Sequence, residues 1–287
     1  MCKKIIIDSI LMLFLTTGVC CASECTIASE QMQNNPKTDP VDEVLEELNK
    51  RTSELKTYEC RIEYKYTQKL LESESLHKGI LYYSKTGEKS ALRINFKTLK
   101  QEDEPEQKYI EQYIVLDGSR LSRPDYEFKG IWLVHIDYEG REAKYYQLAE
   151  PNDPNGTSDV LDLAGRNLPI LGFSKISDLK KEFDVKLVEQ KNGKSEDFTQ
   201  VRLDVKPNSI YKDDYISIDF WIDKKSGLPA KIVAVSTEPE PPMGDVSEIK
   251  FLKPVINKGI NSNVFDFEIP DSFGEPEIIP IKKEHEQ

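Results

Sequence analysis

The sequence contains little of the material from which metal sites and histidine-based active sites are built. It has three histidines and five cysteines among 287 residues, and none of them shows zinc-ligand or HExxH spacing. The GxSxG nucleophile turn, the phosphate-binding P-loop and the GxGxxG dinucleotide turn are also missing. We therefore expect no metal, no cofactor and no enzymatic activity, and we interpret His135 as a structural or surface residue.

Runs of basic residues are missing as well. The 39 Lys and Arg residues face 51 Asp and Glu, for a formal net charge of −12. A protein that binds nucleic acid needs clustered cations to neutralise phosphates, so a nucleic-acid partner is excluded. The hydrophobic fraction is only 38%, but 13 Tyr, 11 Phe and 2 Trp are enough to build a core.

The N-terminal apolar stretch is too short to span a membrane comfortably. Lys3 and Lys4 precede an apolar run from Ile10 to Ala22, whereas a spanning helix needs about 20 apolar residues. This pattern predicts a secretory signal peptide over residues 1–23, a periplasmic or secreted location and no permanent membrane span. A lipid anchor at Cys20 is the competing interpretation, although Thr17–Val19 is a poor match to the residues that usually precede a lipid-modified cysteine.

Removal of the signal peptide would leave two cysteines, Cys25 and Cys60. They could form a disulfide in an oxidising compartment. Alternatively, Cys25 lies in the polar linker that we predict over residues 24–40, and Cys60 is a small buried residue. The sequence favours the second alternative only slightly.

The hydrophobic periodicity changes once, near residue 57. Val41, Val44, Leu45 and Leu48 form one apolar stripe with helical spacing, after the capping pair Asp39-Pro40. From Tyr58 onward apolar residues alternate with polar ones in short runs separated by turns, interrupted by a second predicted helix at 177–183. This arrangement is typical of an antiparallel sheet.

The fold class that follows is mainly β (α+β). We predict an incomplete antiparallel β-barrel of about ten strands over residues 41–273, with an N-terminal helix and a mid-chain helical lid, because a large antiparallel sheet tends to curl. The polar residues 274–287 are predicted to be a disordered tail.

Aromatic residues on the predicted inner face are the candidate functional residues. By alternation we expect five of them to point inward and line a ligand site: Tyr64, Tyr82, Phe96, Trp132 and Phe220. Two interpretations remain open: a solid core, or an apolar pocket for a lipid or acyl chain.

The order of these elements resembles the LolA/LolB-type superfamily of outer-membrane lipoprotein carriers over about Val41–Phe273. The similar segments are the helix that leads into Tyr58–Tyr66, Gly79–Tyr82, Leu92–Ile94, Val115–Gly118, Ile218–Asp223 with Ser226–Pro229, and Phe265–Pro270. At the position of an arginine that locks the lid in the family, this sequence reads Lys85-Thr86-Gly87, so the lock is absent or replaced by Lys85.

The resemblance implies a non-enzymatic periplasmic carrier that holds lipid, acyl chains or lipoproteins in a hydrophobic half-barrel. The alternative is a cell-envelope interaction or sensor module with a filled core and an envelope protein as its partner.

Overall fold

The computed structural model describes residues 39–87, 89–151, 159–161, 163, 176–188, 197–238 and 244–281. The predicted signal peptide, the alternative anchor at Cys20 and the position of Cys25 lie outside the described residues. Cys60 is a buried free thiol, and burial raises its pKa to about 12.

The predicted N-terminal helix is present. Helix α1 spans Pro40–Ser53, and the Asp39 side chain caps it by accepting a hydrogen bond from the backbone N–H of Val41 at 3.1 Å. The apolar stripe is buried against the sheet at Val41, Leu45 and Leu48. A second helix, α2, spans Ile176–Glu182. No helix among the described residues is long and apolar enough to cross a membrane.

The remaining elements are mostly strands. Their bounds are β1 Thr57–Gln68, β2 Ser73–Thr86, β3 Lys89–Gln101, β4 Gln107–Asp117, β5 Ile131–Asp137, β6 Glu142–Ala149, β7 Phe183–Leu187, β8 Phe198–Val205, β9 Tyr215–Asp223, β10 Pro229–Ser236, β11 Val246–Ile256 and β12 Glu277–Ile279. Short 3₁₀ turns lie at Gly118–Arg120 and Ser262–Phe265.

All twelve strands belong to one sheet in the order β12-β6-β5-β4-β3-β2-β1-β11-β10-β9-β8-β7. Every neighbouring pair is antiparallel except β12 with β6, which is parallel. Strands β12 and β7 form the two edges, so the sheet is open. The predicted class, an incomplete and mainly antiparallel barrel with helices, is confirmed with twelve strands in place of about ten.

The C-terminal tail differs from the prediction. Residues 277–279 form strand β12, with Ile278 opposite Tyr145 on β6, so a disordered tail from residue 274 is wrong for this stretch. The run Phe265–Ile269 alternates apolar and polar residues as a strand does, but it begins in the 3₁₀ turn and forms no strand. Its apolar side chains pack against the sheet, and this packing explains why they alternate.

The sheet is apolar on both faces. The helix face is covered by α1 and by Val160, Leu161 and Leu163, and its strand residues include Tyr58, Ile62, Tyr83, Leu92 and Phe220. The tail face is covered by the segment 260–278, and its strand residues include Ile114, Trp132, Val134 and Ile136. The covering elements therefore bury both sides of one sheet, as in a three-layer arrangement.

Candidate functional site

The five predicted site residues do not lie on one face. Tyr64, Phe96 and Phe220 belong to the helix face, whereas Tyr82 and Trp132 belong to the tail face. The prediction of a common inward orientation is therefore wrong for Tyr82 and Trp132. In β2 and β5 both faces carry large apolar side chains, so periodicity could not distinguish the inner residues from the outer ones.

Trp132 is a core residue of the tail face. It is 1% exposed, and its indole Nε1 donates a hydrogen bond to the carbonyl oxygen of Lys129 at 2.8 Å. The Phe128 ring meets it edge-on with a centroid separation of 5.0 Å. These contacts fill its surroundings with the protein's own groups.

A tyrosine pocket lies on the helix face, toward the rim at which β1, β3 and β5 end. We define it by the partly exposed residues Tyr64, Tyr109, Tyr113 and Tyr215, all of which pack against the helix-face core. Burial is the main cause that raises the pKa of each of these hydroxyls. Each of the four side chains is therefore partly exposed and largely surrounded by protein.

Glu111 lies at the floor of this pocket. Its carboxylate Oε1 accepts a hydrogen bond from His135 Nε2 at 2.8 Å and another from the Tyr113 hydroxyl at 2.8 Å. The side chains of His135 and Glu111 are 4% and 5% exposed. The imidazole ring of His135 also stacks on the ring of Tyr113 at 4.6 Å.

The floor carboxylate is ionised. Burial acts to raise the pKa of Glu111, but the hydrogen bonds from His135 and Tyr113 and the nearby histidines outweigh it, so the pKa lies below its ordinary value. Because the carboxylate accepts, His135 must donate through Nε2. The structure places His135, predicted as a structural or surface residue, in the protein interior beside Glu111.

His77 completes the floor. It lies opposite Tyr64 in the β1–β2 pairing, and its ring contacts those of Phe96 and Tyr109 at centroid distances of 5.5 and 5.3 Å. The side chain is 97% buried, since 3% of the residue is exposed. Its Nδ1 has no hydrogen-bond partner among the described residues. Burial lowers the pKa of His77 and so favours the neutral imidazole. The nearby Glu111 carboxylate acts in the opposite direction but does not outweigh burial.

The backbone beside His77 depends on a glycine. The β2–β3 register shifts between Lys78 and Gly79, and a Cβ on Gly79 would lie 2.2 Å from the carbonyl oxygen of Asn95. The two backbones therefore approach too closely for any other residue.

Sequence reasoning missed Glu111, His77, Tyr109, Tyr113 and Tyr215 as site residues. One signal was available: Glu111 alternates with Tyr109, Tyr113 and Val115 on the inward side of β4, where a lone carboxylate among large apolar residues is unusual. No local signal marked His77, because its place depends on the register shift and on three other strands.

The other half of the helix face is closed by the mid-chain segment. Lys85 Nζ lies 2.6 Å from Asp159 Oδ2, and the Tyr83 hydroxyl donates to the same carboxylate at 3.0 Å. Ser90 Oγ accepts a hydrogen bond from the backbone N–H of Val160 at 2.8 Å. Lys85 thus holds the segment that covers this half of the face.

The tyrosine pocket combines buried polar groups with aromatic side chains. No group of three or more His, Cys, Asp and Glu side chains that could hold a metal occurs among the described residues. Within the same residues, the hydrogen bonds of His77 and His135 include none to a serine, threonine or cysteine side chain that could act as a nucleophile. What remains is a polar floor below an aromatic wall.

No protein-family model and no curated protein matches the sequence. The solved structures that match include a DUF1329 family protein from Desulfovibrio piger ATCC 29098, with 12% identity, 80% of this chain and 98% of that chain covered, and a TM-score of 0.40. MucB in the Pseudomonas aeruginosa MucA/MucB complex matches with 13% identity, 80% of this chain and 62% of that chain covered, and a TM-score of 0.42. A LolA superfamily protein from Nitrosomonas europaea matches with 11% identity, 79% of this chain and 97% of that chain covered, and a TM-score of 0.32.

These are similarities of fold only. Nothing about a ligand, a partner or an activity of this chain follows from them.

Proposed function

We propose that this chain is an exported, non-enzymatic carrier that binds a lipid, an acyl chain or an acylated protein on the helix face. The observation that supports the proposal most is the tyrosine pocket, a partly accessible aromatic wall on the inner side of an open sheet. An aromatic concavity with a few polar groups at its base is the usual form of a site for a small amphiphile.

An apolar path leads away from the pocket. Tyr64 lies opposite Ile249, Ile249 opposite Ile232, and Ile232 opposite Phe220. Side chains directly opposite one another in antiparallel strands share a face, so these four residues form one row across four strands. In this structure Ile249, Ile232 and Phe220 are 5%, 0% and 5% exposed, so an acyl chain can lie along that row only if the cover of the helix face opens. Each CH₂ group buried there would then contribute about 0.8 kcal/mol.

The predicted export signal fits this function, because carriers of envelope lipids work outside the cytoplasm. A periplasmic location is therefore part of the proposal. Lipid or lipoprotein acyl chains are the proposed ligands, and we propose no cofactor.

The test compares two tyrosines on opposite faces of neighbouring strands. The mature protein is titrated with a fluorescent fatty-acid analogue, and amphiphiles that copurify from the native host are extracted and identified by mass spectrometry. We expect Tyr64→Ala to weaken binding about tenfold through lost aromatic contact, and Tyr82→Ala to leave it unchanged. Absence of both a copurified amphiphile and saturable binding would refute the carrier function.

A second function, an envelope interaction module, is favoured by one observation. Leu70 and Leu71 at the β1–β2 turn are 64% and 61% exposed, and Asp245 holds the turn by accepting the backbone N–H of Lys69 at 2.8 Å. A rigid turn that presents two leucines is a natural protein contact. Under this function, the double variant Leu70→Ser and Leu71→Ser abolishes partner crosslinking in cells, while Tyr64→Ala leaves it intact.

A further inference from the structure

We propose that the floor of the tyrosine pocket receives the polar head of the bound amphiphile, and that this head is a protonated amine or another ammonium group. The inference rests on the proposed carrier function and specifies the ligand class. It is carried by three features of the pocket: a buried carboxylate, an imidazole nitrogen without a partner among the described residues, and a ring of aromatic side chains.

The charge at the floor selects against anions. Glu111 is buried and ionised, and its described hydrogen bonds come from His135 and Tyr113. Among the described residues no Lys or Arg forms an ion pair with it. A phosphate or carboxylate head would meet this negative group without a compensating cation, which is costly at a site of low dielectric.

The Nδ1 of His77, which has no partner among the described residues, can accept a hydrogen bond from a ligand. A buried polar atom without a partner costs free energy, so native proteins rarely leave one unless something else binds it. In the neutral imidazole with its proton on Nε2, Nδ1 is an acceptor. An ammonium group has N–H donors to satisfy it, and the nearby carboxylate would stabilise the positive charge.

The aromatic wall adds attraction for the same head. The rings of Tyr64, Phe96 and Tyr109 surround His77 at centroid distances of 6.1, 5.5 and 5.3 Å. The face of an aromatic ring carries negative potential and attracts cations, most strongly where water is excluded. A neutral hydroxyl head would gain the hydrogen bond alone, without this term.

The experiment measures the dissociation constants of dodecylamine, dodecanol and dodecanoate at neutral pH by isothermal titration calorimetry, below their critical micelle concentrations. The three probes share one tail and differ in the head. We expect the amine to bind about tenfold more tightly than the alcohol, the effect of one charge-assisted contact, and the carboxylate to bind most weakly.

Two variants locate the selectivity. Glu111→Gln removes the charge and is expected to bring the amine to the affinity of the alcohol. His77→Phe keeps a ring in the same packing and removes the nitrogen, so it should weaken the amine and the alcohol and spare the carboxylate. Tyr82→Phe removes a hydroxyl from the other face of the sheet and serves as the matched control, with all three affinities unchanged.

The outcomes separate the two proposals. Equal affinity for the three probes, or tightest binding of dodecanoate, overturns the ammonium head while the carrier function stands. Failure of all three to bind overturns both. Should Glu111→Gln not fold, as judged by near-ultraviolet circular dichroism, His77→Phe decides alone: an unchanged ratio of amine to carboxylate affinity in that variant contradicts the inference.

Discussion

The helix face and the tail face both bury apolar side chains, but the hydrogen bonding of their buried polar groups differs. On the tail face the Arg93 guanidinium donates to the carbonyl oxygens of Val264 and Asp266 at 2.7 and 2.6 Å, and to the side chains of Asn95 and Gln112. On the helix face the Nδ1 of His77 has no partner among the described residues.

Under the proposed function, this difference separates a face that the chain closes itself from a face that receives a ligand. Ser217 Oγ, which points away from the helix face on β9, also has no partner among the described residues. The Arg93 guanidinium, with four hydrogen bonds, fixes the C-terminal segment against β3, so the tail face is closed by the chain itself. The His77 Nδ1, without a partner among the described residues, destabilises the folded state unless another molecule forms a hydrogen bond with it. Four predictions test this contrast, from the largest effect on stability to the smallest.

Trp132→Ala is expected to destabilise the protein most. Truncation of a fully enclosed indole removes contacts with Phe128 and Tyr126 and should lower the free energy of unfolding by about 4 kcal/mol. Urea denaturation followed by far-ultraviolet circular dichroism measures it. Trp221→Ala is the control, because that ring is partly exposed and lies under Lys231 Nζ. If the Trp132 variant keeps its stability but loses amphiphile binding, the assignment of the two faces is reversed.

Arg93→Ala should lower the free energy of unfolding by about 3 kcal/mol, since it removes the donor to two partly buried carbonyl oxygens, those of Val264 and Asp266. Hydrogen exchange should show faster opening of residues 260–278 than of β1 and β2. Arg93→Lys provides the comparison. Lysine keeps the positive charge but lacks the planar guanidinium with its several donors, so this variant should regain only part of the lost free energy of unfolding. Uniform exchange across the chain would mean that the tail is not anchored at this residue.

Much of this fold could be predicted from the sequence. The stripe of α1 and its Asp39 cap, the alternation of β1 and β9, and the turn at Ser226-Gly227 are local signals, and the structure contains each of them. The overall class followed from these signals because local periodicity determines which surface a strand can bury.

The site could be predicted only in part. Alternation placed Tyr64, Phe96 and Phe220 correctly on one face, but Trp132 belongs to a strand that is apolar on both sides, and its orientation depends on the C-terminal segment that covers it. His77 on β2 and Glu111 on β4 are brought near each other by the β2–β3 register shift and across strand β3. Such long-range pairing leaves no mark in a local pattern.

The ionisation of Glu111 should make stability depend on pH in the acid range. The pKa of Glu111 is lower in the folded protein than its unfolded value of about 4.3. Its contribution is therefore fully present above that value and is lost as pH falls through the folded pKa. We expect the stability advantage of the wild type over Glu111→Gln to be about 2 kcal/mol at neutral pH and to shrink on acidification. Denaturation curves at several pH values measure it, and a constant difference would show that Glu111 is not ionised.

His77→Phe is expected to stabilise the protein slightly while it weakens binding. The change replaces an unsatisfied buried nitrogen by carbon within the same aromatic packing, and it should raise the free energy of unfolding by about 1 kcal/mol. Because the pKa of His77 is lowered in the folded protein, the wild type loses stability as pH falls below the unfolded value of about 6.5, and the variant lacks this loss. Thermal denaturation at neutral and mildly acidic pH, with and without dodecylamine, tests both effects. A loss of stability in the free variant would show that Nδ1 already has a partner inside the protein, and the contrast between the two faces would then disappear.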